Sequence, residues 1–164
     1  MDQYIIEEVK EEHLEDILEI YNYYILNSTA TFHRNTLTPD EMKAIVMFNN
    51  PRYRAFVIKE GKVICGYCIL CPFKPREAYN RTAEVTVYLR RDYIGKGLGS
   101  MAMKHIEAFA ATQDVHELLA IICGENKESI RLYERLGYEK CAHYKQVGEK
   151  FDRLLDVVCY QKSI

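Results

Sequence analysis

A glycine-rich loop, Gly95-Lys96-Gly97-Leu98-Gly99-Ser100, most constrains the fold because it joins a strand-like run to an amphipathic segment at residues 101–109. Glycine lets backbone N–H groups approach a ligand with no Cβ in the way. The first turn of a helix adds unpaired N–H donors and the positive end of its dipole. The loop therefore predicts a site for a phosphate or pyrophosphate, and so a phosphorylated cofactor or nucleotide as ligand.

The glycine spacing excludes two common nucleotide-binding loops. A dinucleotide loop needs G-x-G-x-x-G and an acidic residue at the far end of the next strand, whereas Glu117 begins its predicted strand. A P-loop needs G-x-x-x-x-G-K-[ST], but Lys96 precedes Gly97 here. An ordinary glycine-rich turn that caps a helix stays open as the alternative.

Apolar periodicity and turn residues predict the element order βααββ, then βαβα, then a ββ hairpin around Gly148. The predicted strands cover residues 4–9, 55–59, 63–71, 82–89, 118–122, 138–147 and 154–161. The predicted helices cover residues 12–26, 39–48, 101–113 and 127–136, the second after a capping box at Thr38 and the fourth after Asn126. We expect one α/β domain over residues 1–164, with a mixed sheet and helices on both faces.

Composition narrows the class of partner and the compartment. A chain of 164 residues with a net charge of −2 gives no reason to expect nucleic acid or an anionic membrane as partner. No apolar run spans a bilayer, and the first four residues lack the basic and apolar regions of a secretory signal. We therefore expect a cytoplasmic protein with reduced thiols.

The glycine loop resembles the acyl-CoA pyrophosphate loop of the GNAT acetyltransferase superfamily, [Q/R]-x-x-G-x-[G/A]. Gly97 and Gly99 fill its last two fixed positions, while Ile94 replaces the usual Arg or Gln but leaves the backbone donors. The element order is also that of the GNAT N-acyltransferase fold, whose sheet is mostly antiparallel. The resemblance implies acetyl-CoA as co-substrate, held by Val85, Val87, Leu89, Ile94, Gly95, Lys96, Gly97, Leu98, Gly99, Ser100, Asn126 and Ser129.

A second segment, residues 126–138, resembles the GNAT pattern N-x-x-[SA]-x-x-[LF]-[YF]-x-x-x-G-[FY]. The matching residues are Asn126, Ser129, Leu132, Tyr133, Gly137 and Tyr138. Tyr133 lies two helical turns beyond Asn126, where its phenol can protonate a departing thiolate. A core position for Tyr133 is the alternative, because its neighbours Leu132 and Leu136 are apolar.

Three further runs are similar to the phosphinothricin N-acetyltransferase branch of the superfamily. They are residues 20–32, with Y-N-x-x-I and T-x-T-F, residues 84–88, with E-x-T-V-Y, and residues 151–157, which depart from the branch pattern at its Gly and Trp. The resemblance implies acetylation of the primary amine of a small amino-acid-like acceptor, such as phosphinothricin, methionine sulfoximine or methionine sulfone. It also implies a homodimer.

The chemistry of the reaction suggests roles for individual side chains. An ammonium cannot attack a thioester, so a base must first take a proton, and Glu84 on the strand before the glycine loop can do so through a water. Its alternatives are a solvent-facing carboxylate or an ion pair with Arg81. We expect Tyr24 and Phe32 to wall the acceptor pocket, with core packing as the alternative. Lys96 and Arg91 either meet phosphates or are solvated.

The cysteine spacing does not favour a metal site. On a regular strand Cys65 and Cys71 face one side and Cys68 the other, so their thiols do not converge, and we expect buried thiols and no metal. Two other functions stay open: acetylation of a protein N-terminus or a polyamine, and a non-catalytic acyl-CoA-binding domain.

Overall fold

A computed structural model describes residues 3–164. Met1 and Asp2, which belong to the expected domain and to the segment searched for a secretory signal, lie outside the described residues. The strands are β1 (Ile5–Glu8), β2 (Arg54–Glu60), β3 (Val63–Pro72), β4 (Thr82–Leu89), β5 (Glu117–Cys123), β6 (Glu139–Lys150) and β7 (Arg153–Ser163). The α-helices are α1 (Leu14–Asn27), α2 (Pro39–Val46), α3 (Leu98–Thr112) and α4 (Lys127–Arg135).

The strands form one sheet in the order β1-β2-β3-β4-β5-β7-β6. Every neighbouring pair is antiparallel except β4 and β5, which are parallel. The predicted element order and the mixed, mostly antiparallel sheet are therefore confirmed.

Each face of the sheet has its own apolar core. The first core contains the buried residues of α3 together with Tyr133 of α4. The second contains the buried residues of α1 and α2. Both faces of β3 are covered, which explains why this strand is a nearly continuous apolar run.

Local signals account for the helix starts. Thr38 accepts a hydrogen bond from the backbone N–H of Glu41, whose carboxylate accepts one in return, and Pro39 begins α2. The Asn126 side chain caps α4 by accepting from the Ser129 N–H at 3.2 Å. Gly97 is the N-cap of α3, so the helix begins at Leu98, inside the glycine run.

The prediction that the final hairpin turns around Gly148 is wrong. Gly148 lies within β6 opposite Leu155, and the turn falls at Phe151 and Asp152, which have φ values of +53° and +57°. Glycine is the usual residue for such a conformation, so the sequence pointed to the nearby Gly148.

The predicted alternation of the β3 cysteines is also wrong. The register between β2 and β3 shifts after Ile58, because Lys59 pairs with Ile64 whereas Ile58 pairs with Gly66. The extra residue, Cys65, reverses the alternation, so Cys65 and Cys68 both lie in the first core. Cys71 packs against the second core.

Two features are absent from residues 3–164. No helix in this range is both long and apolar enough to cross a membrane. Nor does the range contain a group of three or more His, Cys, Asp or Glu side chains placed to hold a metal ion.

Candidate active site

The parallel pair β4 and β5 stays together for only three residues. Residues 82–84 pair with residues 117–119, after which β4 continues beside β3 and β5 beside β7. A cleft of about 940 Å³ opens where the strands separate. Residues 85–89 therefore have a strand neighbour on one side only, and their free edge can pair with an extended ligand.

The glycine loop forms one end of this cleft. Gly95 and Gly97 have φ values of +82° and +80°, a conformation that strains any residue with a Cβ. They lead the chain into α3, where Leu98, Gly99 and Ser100 line the cleft with the first N–H groups of the helix. The arrangement fits a pyrophosphate, because both the open N–H groups and the helix dipole favour an anion.

Gly99 has a different task, which is to let α4 approach α3. A Cβ added at Gly99 would lie 3.0 Å from Cδ2 of Leu132. This close packing brings α4 against the glycine loop, so the two segments that resemble GNAT motifs become walls of one cleft.

The structure brings nearly all of the predicted site residues to the cleft. Those that line it are Glu84, Tyr133, Val85, Val87, Leu89, Ile94, Gly95, Gly97, Leu98, Gly99, Ser100, Asn126, Ser129, Tyr24 and Phe32. Lys96 is not among the lining residues, and its ammonium lies 4.9 Å from the centre of the Tyr93 ring. Arg91 donates to the Tyr23 hydroxyl at 2.7 Å.

Glu84 is half-buried at the point where β4 and β5 separate. Side chains alternate along β4, so Glu84 shares the face of Tyr88, which packs on the α1 and α2 core. Burial raises the pKa of the Glu84 carboxyl. Arg81 pairs with Asp114 at 3.3 Å, so the predicted alternative of a Glu84–Arg81 pair is not formed.

Tyr133 approaches the cleft from the other face of the sheet. It lies in the α3 and α4 core at 3% exposure, with its ring edge-on to Tyr138 at 5.0 Å. Burial raises the pKa of its phenol, so it keeps its proton at neutral pH. Within residues 3–164, the hydroxyls of Tyr67 and Tyr138 are buried and have no hydrogen-bond partner. The Tyr133 hydroxyl is not one of these buried, unpartnered groups. Tyr133 is thus both a core residue and a cleft residue.

The far wall of the cleft is the segment at residues 28–32, which we call the acceptor loop after the acceptor-pocket role that the sequence predicts for Phe32. Tyr88 donates to the Ala30 carbonyl oxygen at 3.3 Å, and Tyr24, also a wall residue, donates to the Leu89 carbonyl oxygen. Phe32 is 38% exposed, so it is not a core residue.

Glu125 joins the acceptor loop to the β6–β7 hairpin. The Thr29 hydroxyl donates to its Oε1 at 2.7 Å, and the Arg153 guanidinium donates to both of its oxygens at 2.8 and 2.9 Å. The hydrogen bonds from Arg153 and Thr29 lower the pKa of Glu125 to about 2. Glu125 therefore lines the cleft as an ionised carboxylate whose oxygens already accept hydrogen bonds from Arg153 and Thr29.

The sequence did not point to several lining residues. These are residues 28–31, Glu125, Glu128, Arg131 and Arg135. The T-x-T-F run identified residues 29–32 as similar to a family segment, but it suggested no role for residues 29–31. Glu125 and Arg153 are far apart in sequence, and no local pattern links them.

Comparison with known proteins gives a consistent result. A model of the acetyltransferase (GNAT) family matches residues 14–138. A phosphinothricin N-acetyltransferase from Streptomyces coelicolor is 30% identical over 158 residues, which cover 94% of this chain and 92% of that protein. An L-methionine sulfoximine/L-methionine sulfone acetyltransferase from Pseudomonas paraeruginosa is 34% identical over 157 residues, covering 92% and 89%.

The fold is similar to that of solved acetyltransferases. The structure of a GNAT superfamily phosphinothricin acetyltransferase from Sinorhizobium meliloti, in complex with acetyl-CoA, superposes with a TM-score of 0.93. The two chains are 26% identical, and the match covers 99% of this chain and 89% of that one.

Proposed function

Because this chain belongs to the GNAT acetyltransferase family, we propose that it acetylates the primary amine of a small amino-acid-like acceptor. The general reaction is that of the family: the protein is an acetyl-CoA-dependent N-acetyltransferase that acts on an amine. The acceptor class we propose is the phosphinothricin, methionine sulfoximine and methionine sulfone type, for which relatives spanning nearly the whole chain are named.

One observation carries the choice of a small acceptor. The acceptor loop and the β6–β7 hairpin meet across the end of the cleft, where Thr29 and Arg153 share Glu125. A protein N-terminus needs an open groove for the following residues, and we infer that these contacts disfavour a long peptide because they join the two walls of the cleft. A polyamine favours a strongly acidic pocket, whereas here Arg153 pairs with Glu125, and Arg131 and Arg135 line the cleft together with the remaining carboxylates Glu84 and Glu128.

The proposed mechanism uses side chains on both faces of the sheet. The free edge of residues 85–89 and the glycine loop hold acetyl-CoA, which supplies the thioester. Glu84 takes a proton from the acceptor ammonium through a water, and the neutral amine then attacks the thioester carbonyl. As the tetrahedral adduct collapses, Tyr133 gives its proton to the departing CoA sulfur, and the second proton that the nitrogen must lose to become an amide returns through water in the cleft to restore the phenol. Burial suits both groups, because it keeps Tyr133 protonated and brings the pKa of Glu84 closer to neutral.

A substrate screen tests the proposal. Purified protein with acetyl-CoA is offered free amino acids, their sulfone and sulfoximine analogues, phosphinothricin, short peptides with free N-termini, and spermidine, and CoA release is followed by a thiol reagent. We expect turnover with the small amino-acid-like amines. Turnover of peptides or spermidine alone would refute this acceptor class in favour of the one that reacts. If CoA binds but no amine is acetylated, the result would favour a non-catalytic acyl-CoA-binding protein. The single domain, the homodimer and the cytoplasmic location expected from the sequence stay predictions.

A further inference from the structure

Lys150 is sealed inside the protein although it ends the edge strand β6. Its side chain is 2% exposed, and Nζ donates to the carbonyl oxygens of Ser28 at 2.7 Å and Thr31 at 2.8 Å. The ring of Phe151 lies 5.2 Å from Nζ. Within residues 3–164 no carboxylate forms an ion pair with this ammonium. Burial accordingly lowers its pKa.

A buried ammonium with no anionic partner is costly unless hydrogen bonds replace its hydration. A methionine would fill similar space without that cost, so packing alone does not explain a lysine at this position. The two carbonyl groups that it binds explain it better, because both belong to the acceptor loop. The ammonium gathers the backbone at residues 28 and 31 around one point and so fixes the turn between them.

The same hairpin holds the acceptor loop at two other points. A Cβ added at Gly148 would lie 2.7 Å from Cε1 of Phe32, so the Phe32 ring rests directly on the β6 backbone. Arg153 holds Thr29 through Glu125. Lys150 therefore lies between two further contacts that join the hairpin to the wall of the acceptor pocket.

We propose that Lys150 is a positioning residue that fixes the acceptor loop and thereby sets the affinity for the acceptor. It acts through the backbone of residues 28 and 31 and does not line the cleft. The inference rests on the proposed function, because it takes the loop to be the wall of an acceptor pocket.

Lys150→Met tests the proposal, with Lys145→Met as the control because Lys145 is exposed on the same strand. A loosened loop lowers the fraction of protein that is ready to bind the acceptor. We expect the acceptor KM to rise by about tenfold to a hundredfold, the factor for the loss of one hydrogen bond to a charged group. The KM for acetyl-CoA and kcat at saturating acceptor should stay within about twofold, as should all constants of the control.

Hydrogen exchange gives a readout that needs no acceptor. The amides of Ala30 and His33, which bond to the Ser28 and Thr31 hydroxyls, should exchange at least about tenfold faster in Lys150→Met than in wild type. This comparison stays valid even if the substrate screen finds no acceptor, so failure of the proposed function and failure of this inference are distinguishable.

Lys150→Gln provides a second variant should Lys150→Met fail to fold. Its shorter, uncharged side chain cannot reach both the Ser28 and the Thr31 carbonyl oxygens, and we expect the same rise in acceptor KM with an unchanged KM for acetyl-CoA. The proposal is overturned if either folded variant raises both KM values equally, or if Lys150→Met leaves the acceptor KM and the loop exchange as in the control.

Discussion

Replacing Glu84 with Gln isolates its proposed role as the general base. Gln keeps the size and polarity of the side chain but cannot take a proton at neutral pH. General base catalysis typically contributes about 10²–10⁴-fold, which is about 3–5 kcal/mol of the barrier. We expect kcat to fall by that factor while acetyl-CoA binding is unchanged, because Glu84 lies on the α1 and α2 face of β4, away from the glycine loop.

The pH dependence of the same variant follows from the raised pKa of Glu84. Wild-type activity should fall on the acidic side as this carboxylate becomes protonated, and the variant should lack that step. Its loss relative to wild type should also shrink at alkaline pH, where more of the acceptor amine is already neutral. Steady-state rates from mildly acidic to alkaline pH measure both effects.

The stability of this variant should change in the opposite direction from its activity. The pKa of Glu84 is higher in the folded state, so folded protein binds more protons between the unfolded and folded values. The free energy of unfolding therefore falls as pH rises through that range. Gln removes this penalty, so at neutral pH the variant should unfold at the same temperature as wild type or a higher one. Below the unfolded pKa the difference should disappear.

Glu128→Gln is the matched control, because Glu128 is an exposed carboxylate that lines the same cleft on α4. Its kcat should stay within about twofold of wild type. The assignment of Glu84 is wrong if Glu84→Gln keeps full kcat at neutral pH, or if both variants lose the same factor, since a general effect of cleft charge would then explain the result.

Three more predictions concern the cofactor loop, the proton donor and assembly. CoA at about 100 times its Kd should raise Tm by roughly 5–10 °C, with no such shift for NAD. Gly97→Ala should abolish this shift, whereas Gly61→Ala, with similar left-handed strain and open space but far from the cleft, should keep it; equal loss in both would refute the loop assignment. Tyr133→Phe should lower kcat less than Glu84→Gln, because a thiolate leaves tolerably without a proton, and full activity would make Tyr133 a core residue only. Light scattering at micromolar concentration should show a homodimer. A monomer would refute the prediction of a homodimer and leave the other predictions unaffected.

Local signals made much of the cofactor half of the site predictable. Strand β4 was predicted with its observed bounds, because its apolar alternation is bounded by turn residues. The Asn126 cap and the glycine loop also depend on neighbouring residues only. Since the pyrophosphate-binding geometry is built from one strand end and one helix start, a single run of sequence contains it.

The acceptor half depends on pairs that are distant in sequence. Glu125 with Arg153, and Lys150 with the loop at residues 28–31, meet only after the sheet has formed. Gly148 illustrates the difficulty. A glycine in a predicted hairpin naturally suggests a turn, but the structure needs a glycine at this position because the Phe32 ring, from a distant part of the chain, packs directly on the backbone there.

The gap between β4 and β5 explains why the proposed base and acid come from opposite faces of the sheet. Glu84 belongs to the α1 and α2 face, and Tyr133 comes from α4 on the other face. An intact sheet would separate the two groups, but the strands part just after residue 84, and both side chains reach the same cleft. The amine can thus lose its proton on one side of the sheet while the sulfur gains one from the other. In this mechanism the base and the acid act from opposite sides of the cleft, and the pKa of each is raised mainly by burial.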